Sequence, residues 1–297
     1  MRYFDIVWDS AKDGPGTRVV FFLQGCPLQC LWCHSPHSQP KDAPVLFYRE
    51  YCTNCGKCRA VCEAGCFGSE QKGYTFDRTA CLKCGKCVLN CIQGALVYNF
   101  NAGTAKDIFD KIMPQLKLLR NIGGVTLSGG EPLMQCAEVL QLFKMCKKVG
   151  VHTAVETSGV ADLQCFEDLI EYTDCWLFGL KQTDAEKCLG MTGANFNTIN
   201  RNLSFLAGRV PDKIIIRTPL IAGFTDDIPN IQKISEIMLS QGLNKIELLP
   251  CNPHTGHYYL AMGKSFDELM FRAPEQDKLN EIIKAFENKG IKARVVI

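Results

Sequence analysis

The chain has 297 residues, with 33 Lys and Arg against 31 Asp and Glu, so its formal net charge is +2. That near-neutrality gives no footing for an electrostatic nucleic-acid binder, and no apolar run approaches the roughly 18 residues of a membrane span. Met1-Arg2-Tyr3-Phe4-Asp5 has no signal-peptide pattern, so a cytoplasmic protein with no nucleic-acid or membrane partner is expected. The cysteines set the chain apart. There are 18, and twelve fall between Cys26 and Cys91. Disulfides are disfavoured in a reducing compartment, so thiols clustered this way favour metal. The other six, Cys136, Cys146, Cys165, Cys175, Cys188 and Cys251, are expected to be small buried hydrophobes. Free thiols in such number also fit a cell with little oxygen.

Residues 5–18 end in Asp13-Gly14-Pro15-Gly16-Thr17-Arg18, a turn by composition. The apolar run Val19–Leu23 predicts a strand feeding Gly25-Cys26-Pro27-Leu28-Gln29-Cys30-Leu31-Trp32-Cys33. Three thiolates at this spacing can bind three irons of a four-iron cubane and leave the fourth iron open. The competing reading is a zinc site with His34 as fourth ligand, for which paired two-residue spacings are more usual. Trp32 suits packing on a planar ligand such as adenine, or simply the core.

Residues 49–97 change character. Cys52, Cys55, Cys58 and Cys62 recur as Cys81, Cys84, Cys87 and Cys91, each displaced by 29 positions, and Gly56-Lys57 recurs as Gly85-Lys86. This is an internal duplication with the spacing of bacterial two-cluster ferredoxins, in which each fourth cysteine crosses to the other cluster. One cluster is therefore expected on Cys52, Cys55, Cys58 and Cys91, and a second on Cys81, Cys84, Cys87 and Cys62. Glu63 and Ile92 stand where a proline often follows the fourth cysteine. Cys66, aligned with Ala95, is read as packing, with competition against Cys62 as the alternative. Eight protein ligands leave no open iron in the insert, which suits electron transfer rather than substrate binding.

Beyond residue 100 helical and strand patterns alternate. Helices are expected over 104–122, 133–148, 163–172, 195–206, 230–241 and 274–289, and strands over 123–128, 152–156, 176–181, 213–220, 245–249 and 292–297. Strands joined by helix-length crossovers imply an α/β fold with a parallel sheet and right-handed connections. In such barrels active residues gather at the C-terminal ends of strands. Ser128-Gly129-Gly130-Glu131-Pro132, Glu156-Thr157-Ser158-Gly159, Lys181, Arg217 and Pro250-Cys251-Asn252 fall at or near those ends. Taken singly, the glycines and Pro132 also suit a strand-to-helix turn.

Together these motifs resemble the radical S-adenosylmethionine (SAM) enzymes. The Asp13-Gly14-Pro15-Gly16-x-Arg18 entry, the dicluster insert, Arg217-Thr218-Pro219-Leu220-Ile221-x-Gly223 and Leu248-Leu249-Pro250-x-Asn252-Pro253 narrow the resemblance. The chain looks like a glycyl radical enzyme activating enzyme of the ferredoxin-insert type, related to pyruvate formate-lyase activase, from Asp13 to about Gly263. The resemblance implies a partial (β/α)6 TIM-type barrel over residues 1–48 and 98–297, with residues 49–97 inserted. It implies three [4Fe-4S] clusters. Cys26, Cys30 and Cys33 would hold the catalytic one, with SAM on its fourth iron. Gly129, Gly130 and Glu131 would hold the methionine ammonium. Glu156, Thr157 and Ser158 would lie by the ribose or carboxylate. Lys181, Arg217 and Asn252 would line the same cleft, and the backbone around Trp32 and His34 would flank adenine.

The implied reaction is one-electron cleavage of SAM to methionine and a 5′-deoxyadenosyl radical, which takes a hydrogen atom from a glycine of a partner enzyme. Flavodoxin or ferredoxin would supply the electron through the insert. Relatives often place an aspartate two residues before the lysine and use it to hold a monovalent cation; here that position is Gly179. Cys251 replaces an aromatic that often precedes the asparagine, and His254 and His257 are assigned no role. The rival readings are a radical SAM enzyme acting on a small molecule or peptide, and an electron-transfer ferredoxin fused to an inert barrel.

Overall fold

The computed structural model describes residues 1–70, 73–119, 122–267 and 271–296. Three expected features extend past these limits: the end of the helix over 104–122, the last residue of the strand over 292–297, and positions 71–72 of the insert lie outside the described residues.

The chain opens with β1 (Arg2–Ser10) and β2 (Thr17–Leu23). The insert follows, with β3 (Leu46–Phe47), α1 (Lys57–Val61), the hairpin β4 (Phe67–Glu70) and β5 (Gly73–Phe76), α2 (Lys86–Leu89) and β6 (Leu96–Val97). The remainder runs β7 (Asn101–Ala102), α3 (Ala105–Leu119), β8 (Gly123–Gly129), α4 (Cys136–Lys148), β9 (His152–Thr157), α5 (Leu163–Leu169) and β10 (Cys175–Gly179). It continues α6 (Ala185–Thr192), α7 (Phe196–Ala207), β11 (Ile214–Leu220), α8 (Ile228–Ser240), β12 (Lys245–Pro250), α9 (Gly256–Ala261), α10 (Gln276–Glu287) and β13 (Lys292–Val295).

Nine strands form one sheet in the order β13-β12-β11-β10-β9-β8-β2-β1-β7. From β2 to β13 every neighbouring pair is parallel, whereas β1 pairs antiparallel with both β2 and β7. The sheet therefore has the six expected strand–helix units and a closing strand, and it has two edges rather than a closed rim. The polar sequence of β1 hid it from the sequence reading: Asp5, Asp9 and Ser10 interrupt its apolar residues.

Val19, Val20 and Phe21 are all fully buried, as expected of a parallel strand covered on both faces. The outer side of the sheet packs under the helices through residues such as Phe166, Trp176 and Phe178, all fully buried. The inner side is thinner and more polar. There Arg18 is fully buried and donates to Thr126 Oγ1 (2.9 Å), the Val125 carbonyl (2.6 Å) and the Pro15 carbonyl (3.2 Å). Thr126 Oγ1 donates in turn to the Asp13 carbonyl (2.6 Å). The Asp-Gly-Pro-Gly-x-Arg segment is thus a folded plug, held by its own arginine, which satisfies buried backbone carbonyls.

In the insert the duplication is visible in the backbone. Asn54 and Lys83 take φ of 56° and 54°, and Gly56 and Gly85 take 79° and 74°, each pair 29 residues apart. The side chains at 54 and 83 are the two non-glycine residues with positive φ among those described, which marks a shared, demanding turn.

One expectation is corrected. Cys136 and Cys165 form a disulfide, with Cα atoms 5.9 Å apart, rather than serving as separate hydrophobes. Neighbouring strands β8 and β9 send their helices out side by side, and this brings the start of α4 against α5. Cys146, Cys175, Cys188 and Cys251 are buried and free, as expected.

Candidate functional site

Two glycines join the cysteine loop to the sheet. The Gly130 N–H donates to the Leu23 carbonyl (2.8 Å) and the Glu131 N–H to the Gly25 carbonyl (2.8 Å). A Cβ at Gly129 would meet Leu23 N at 2.4 Å, and one at Gly130 would meet Gly25 O at 2.2 Å. Only bare backbone fits between the end of β8 and the start of the loop. The loop's far side is held by an element that the sequence reading missed. Gln29 N donates to Thr192 O (2.9 Å) and Leu31 N to Met191 O (3.0 Å), at the end of α6. Tyr259 Oη on α9 donates to the Cys33 carbonyl (3.0 Å).

Glu131 is fully buried, and its carboxylate accepts from Thr157 Oγ1 (2.8 Å), Ser158 N (2.7 Å), Ser158 Oγ (2.5 Å) and Leu133 N (3.2 Å). It ties the loop after β8 to the loop after β9. Burial raises its pKa, and these donors counter the rise.

Arg217, 3% exposed, gathers three acids. Its guanidinium lies 3.0 Å from Glu156, 2.8 Å from Glu247 and 3.7 Å from Asp13, and it also donates to the Lys12 carbonyl. Burial raises the Glu156 carboxyl, but Arg217 and the Ser128 hydroxyl (2.6 Å) together hold it below its ordinary value. Asp13 goes the other way, pushed up by burial and by Glu156. Glu247 was not foreseen: its alternation with apolar neighbours on a parallel strand was the available signal.

Lys181 follows β10 with its Nζ over Gly179. Asn252 N donates to His34 Nε2 (3.3 Å), so these two expected residues meet, although the Asn252 side chain is engaged in accepting from His254 N (2.9 Å). Trp32 is 4% exposed and packs with Ile221, Cys251 and Phe271, and its ring lies 6.0 Å from that of Phe224. Its indole has protein partners and braces the loop from beneath. Cys251, in place of the expected aromatic, belongs to the same cluster.

Burial pushes the Cys26 and Cys33 thiols up to about 12 and raises Cys30 as well. Thiolates here require a cation beside them. Cys26 and Cys30 border an open cleft of about 510 Å³, with Gln39, Tyr259 and Lys264 on its rim.

The insert's thiols line two cavities. One is bordered by Cys52, Cys55, Cys58 and Cys91. The other is bordered by Cys62, Cys81, Cys84 and Cys87, with Cys66 at its edge. Each cavity thus takes three cysteines from one run and the fourth from the other. Among the described residues no three ligand-type side chains are already drawn to a single metal point; the fit lies in which thiols share a cavity. Burial opposes ionisation of Cys62, but N–H groups of Cys66, Ala64 and Gly65 outweigh it and hold this thiol below its usual value. Cys66, 2% exposed, is pushed up to about 12 by burial and by Cys62. Of the two neighbouring thiols, Cys62 is therefore the readier to ionise.

Residues 12–199 match the family described as "4Fe-4S single cluster domain". The chain is 32% identical over 290 residues to the trans-4-hydroxy-L-proline dehydratase activating enzyme of Clostridioides difficile, covering 96% of each chain. It is 31% identical over 295 residues to the 4-hydroxyphenylacetate decarboxylase activating enzyme of C. difficile strain CD196, covering 97% of this chain and 93% of the relative. A radical SAM methyltransferase from Sphaerobacter thermophilus shares the fold, with a TM-score of 0.53 at 15% identity over 69% of this chain and 60% of the other. No helix of the described residues is long and apolar enough to cross a membrane.

Proposed function

The chain belongs to the glycyl radical enzyme activating enzymes of the radical SAM family, and from that premise we propose how its residues divide the work. Cys26, Cys30 and Cys33 hold a four-iron cluster with one iron left for SAM. Gly129, Gly130, Glu131, Glu156, Thr157, Ser158, Lys181, Arg217 and Asn252, with the backbone around Trp32 and His34, form the SAM cleft. Residues 49–97 are a ferredoxin-like insert with two further [4Fe-4S] clusters, one on Cys52, Cys55, Cys58 and Cys91, the other on Cys81, Cys84, Cys87 and Cys62. Flavodoxin or ferredoxin delivers the electron there.

When bound, the cluster and SAM supply reductive cleavage of the cofactor and removal of a hydrogen atom from a glycine of the partner enzyme. The chain's own groups position and exclude. Glu131 locks the loops after β8 and β9 together, so the two banks of the cleft keep one spacing. Arg217 neutralises Glu156 and Glu247, which keeps acids from repelling a carboxylate-bearing cofactor. The Trp32 cluster seals the underside of the cysteine loop against water. The Gly129–Gly130 contact with Leu23–Gly25 carries this reading: it seats the end of β8 on the backbone that leads into Cys26.

The test adds a candidate glycyl radical enzyme to anaerobically reconstituted protein with dithionite and SAM. A glycyl doublet in electron paramagnetic resonance, accompanied by 5′-deoxyadenosine, is expected. 5′-Deoxyadenosine with no glycyl signal from any partner enzyme would transfer the reading to a small-molecule or peptide substrate.

A further inference from the structure

Residues 77–81 stand beside the second of the insert's two cavities. Asp77 N donates to the Cys66 carbonyl (2.8 Å), and Cys81 N donates to the Arg78 carbonyl (3.4 Å). Both cysteines border that cavity. From this backbone the half-buried Arg78 side chain leaves the insert. Its guanidinium lies 4.8 Å from the centre of the Phe76 ring and donates through Nη2 to the carbonyl of Ala261, the last residue of α9. Carbonyls in the last turn of a helix have no partner inside it, and a basic side chain suits them. The fit is close: Gly263, just past the helix, has φ of 71°, and a Cβ there would meet Arg78 Nη1 at 2.8 Å.

The same short helix reaches the cysteine loop of the barrel. Tyr259 Oη donates to the Cys33 carbonyl (3.0 Å), and Lys264 N donates to the Tyr259 carbonyl (2.9 Å). Tyr259 and Lys264 stand on the rim of the cleft bordered by Cys26 and Cys30. The insert thus grips α9 at its end, and α9 grips the loop through its middle. Two side-chain hydrogen bonds and the step from Ala261 to Tyr259 link Arg78 to Cys33. The first cavity has a looser counterpart. Tyr48, whose N–H donates to Ala95 on that cavity's wall (2.8 Å), meets His257 at the start of α9 by a ring contact of 6.3 Å between centroids. Electron transfer weakens steeply with distance, and bonded contacts carry it better than gaps.

We propose that Arg78 is a positioning residue for electron delivery: by seating its side of the insert on the end of α9, it makes the cavity of Cys62, Cys81, Cys84 and Cys87 the insert's exit toward Cys26–Cys33. The cavity of Cys52, Cys55, Cys58 and Cys91 is then the farther station, where the external donor is received. One electron leaves the donor and one arrives at the loop, and no bond is made or broken in the insert. This inference rests on the reading that the insert relays the electron.

The first test reads proximity rather than activity. In fully reduced, reconstituted holoenzyme, a paramagnetic neighbour hastens the spin relaxation of the cluster on Cys26, Cys30 and Cys33. Cys55→Ala, which removes a ligand from the first cavity, is expected to leave that relaxation fast. Cys84→Ala, which removes one from the second, is expected to slow it. The reverse pattern, or equal relaxation in the two variants, overturns the assignment of the exit. Arg78→Met tests the strap. With reduced flavodoxin, 5′-deoxyadenosine is expected to form about tenfold more slowly, the effect of losing one hydrogen bond to a charged group on a docking equilibrium. The KM for flavodoxin stays within about twofold, and iron content and the rate with dithionite are unchanged. Arg78→Lys, which keeps a cationic donor, is expected to recover part of the rate. Equal slowing with both reductants, or an unchanged rate with flavodoxin, overturns the role of Arg78. Flavodoxin-driven turnover at the wild-type rate in both Cys55→Ala and Cys84→Ala overturns the relay reading itself.

Discussion

The insert and the barrel gather cysteines by different means. In the insert, eight thiols lie within 40 residues of one another, and the 29-residue repeat fixes their turns, so the two cavities are assembled almost locally. One cavity has four cysteines on its wall and the other has four with Cys66 as a fifth. The barrel supplies only three, and their loop is held by segments far apart in sequence, the end of β8, the end of α6 and Tyr259 on α9, that only the folded sheet and its helices bring near. A full roster of protein ligands suits electron passage; a short roster beside polar strand ends leaves a position for chemistry. One region is therefore robust to changes elsewhere in the chain, while the other depends on the whole sheet.

The largest expected effect would break the insert's symmetry. Cys62→Ala removes one cluster, a loss of about four irons per chain by iron analysis, whereas Cys66→Ala leaves iron content unchanged. Iron loss in Cys66→Ala and not in Cys62→Ala would exchange their roles.

The barrel's dependence on its centre is sharpened by Arg217→Met. This leaves Glu156 and Glu247 buried without their partner and is expected to cost about 3–5 kcal/mol in denaturant unfolding. The same change alters the response to acid. The native Glu156 carboxyl sits below its ordinary 4.5, so the unfolded chain takes up that proton first as pH falls. Its stabilisation is complete above about pH 4.5 and is lost as pH drops through the native value. Asp13, shifted upward, has the opposite sign and partly masks this loss. Wild-type unfolding curves from pH 7 to 3 should show the loss, and Arg217→Met should show less of it. Parallel pH dependence in the two proteins would remove Glu156 as its source. The smallest effect is Tyr259→Phe, which deletes one hydrogen bond to the Cys33 carbonyl and is expected to cost about 1 kcal/mol, measured as a shift in unfolding midpoint.

The contrast also explains what the sequence could say. Which of the insert's cysteines share a cavity was legible because spacing within a duplicated run encodes it: Cys91 lines the cavity of the first run and Cys62 that of the second. The strand-and-helix order was legible from periodicity, since short apolar stretches such as Trp176–Phe178 and Ile214–Ile216 alternate with helix-length amphipathic segments. Contacts between distant segments were not. Nothing near Cys136 announces Cys165, nothing near Arg217 announces Asp13 some 200 residues earlier, and the short helix α6 that pins Gln29 lacks a strong apolar stripe. Gly129 and Gly130 were readable as a special turn, but their closeness to Leu23 and Gly25 required the register of β2 on β8. Trp32 suited either a ligand or the core by type, and packing took it.

The division of labour between the two regions has a direct measurement. Wild type, Cys33→Ala and Cys84→Ala are reconstituted anaerobically, and 5′-deoxyadenosine formed from SAM is quantified with dithionite and again with a reduced flavodoxin. Wild type should produce it with both reductants. Cys33→Ala should produce none with either, and Cys84→Ala should retain SAM binding while losing most turnover with flavodoxin. Product from Cys33→Ala equal to wild type, or loss of SAM binding in Cys84→Ala equal to that in Cys33→Ala, would contradict the account.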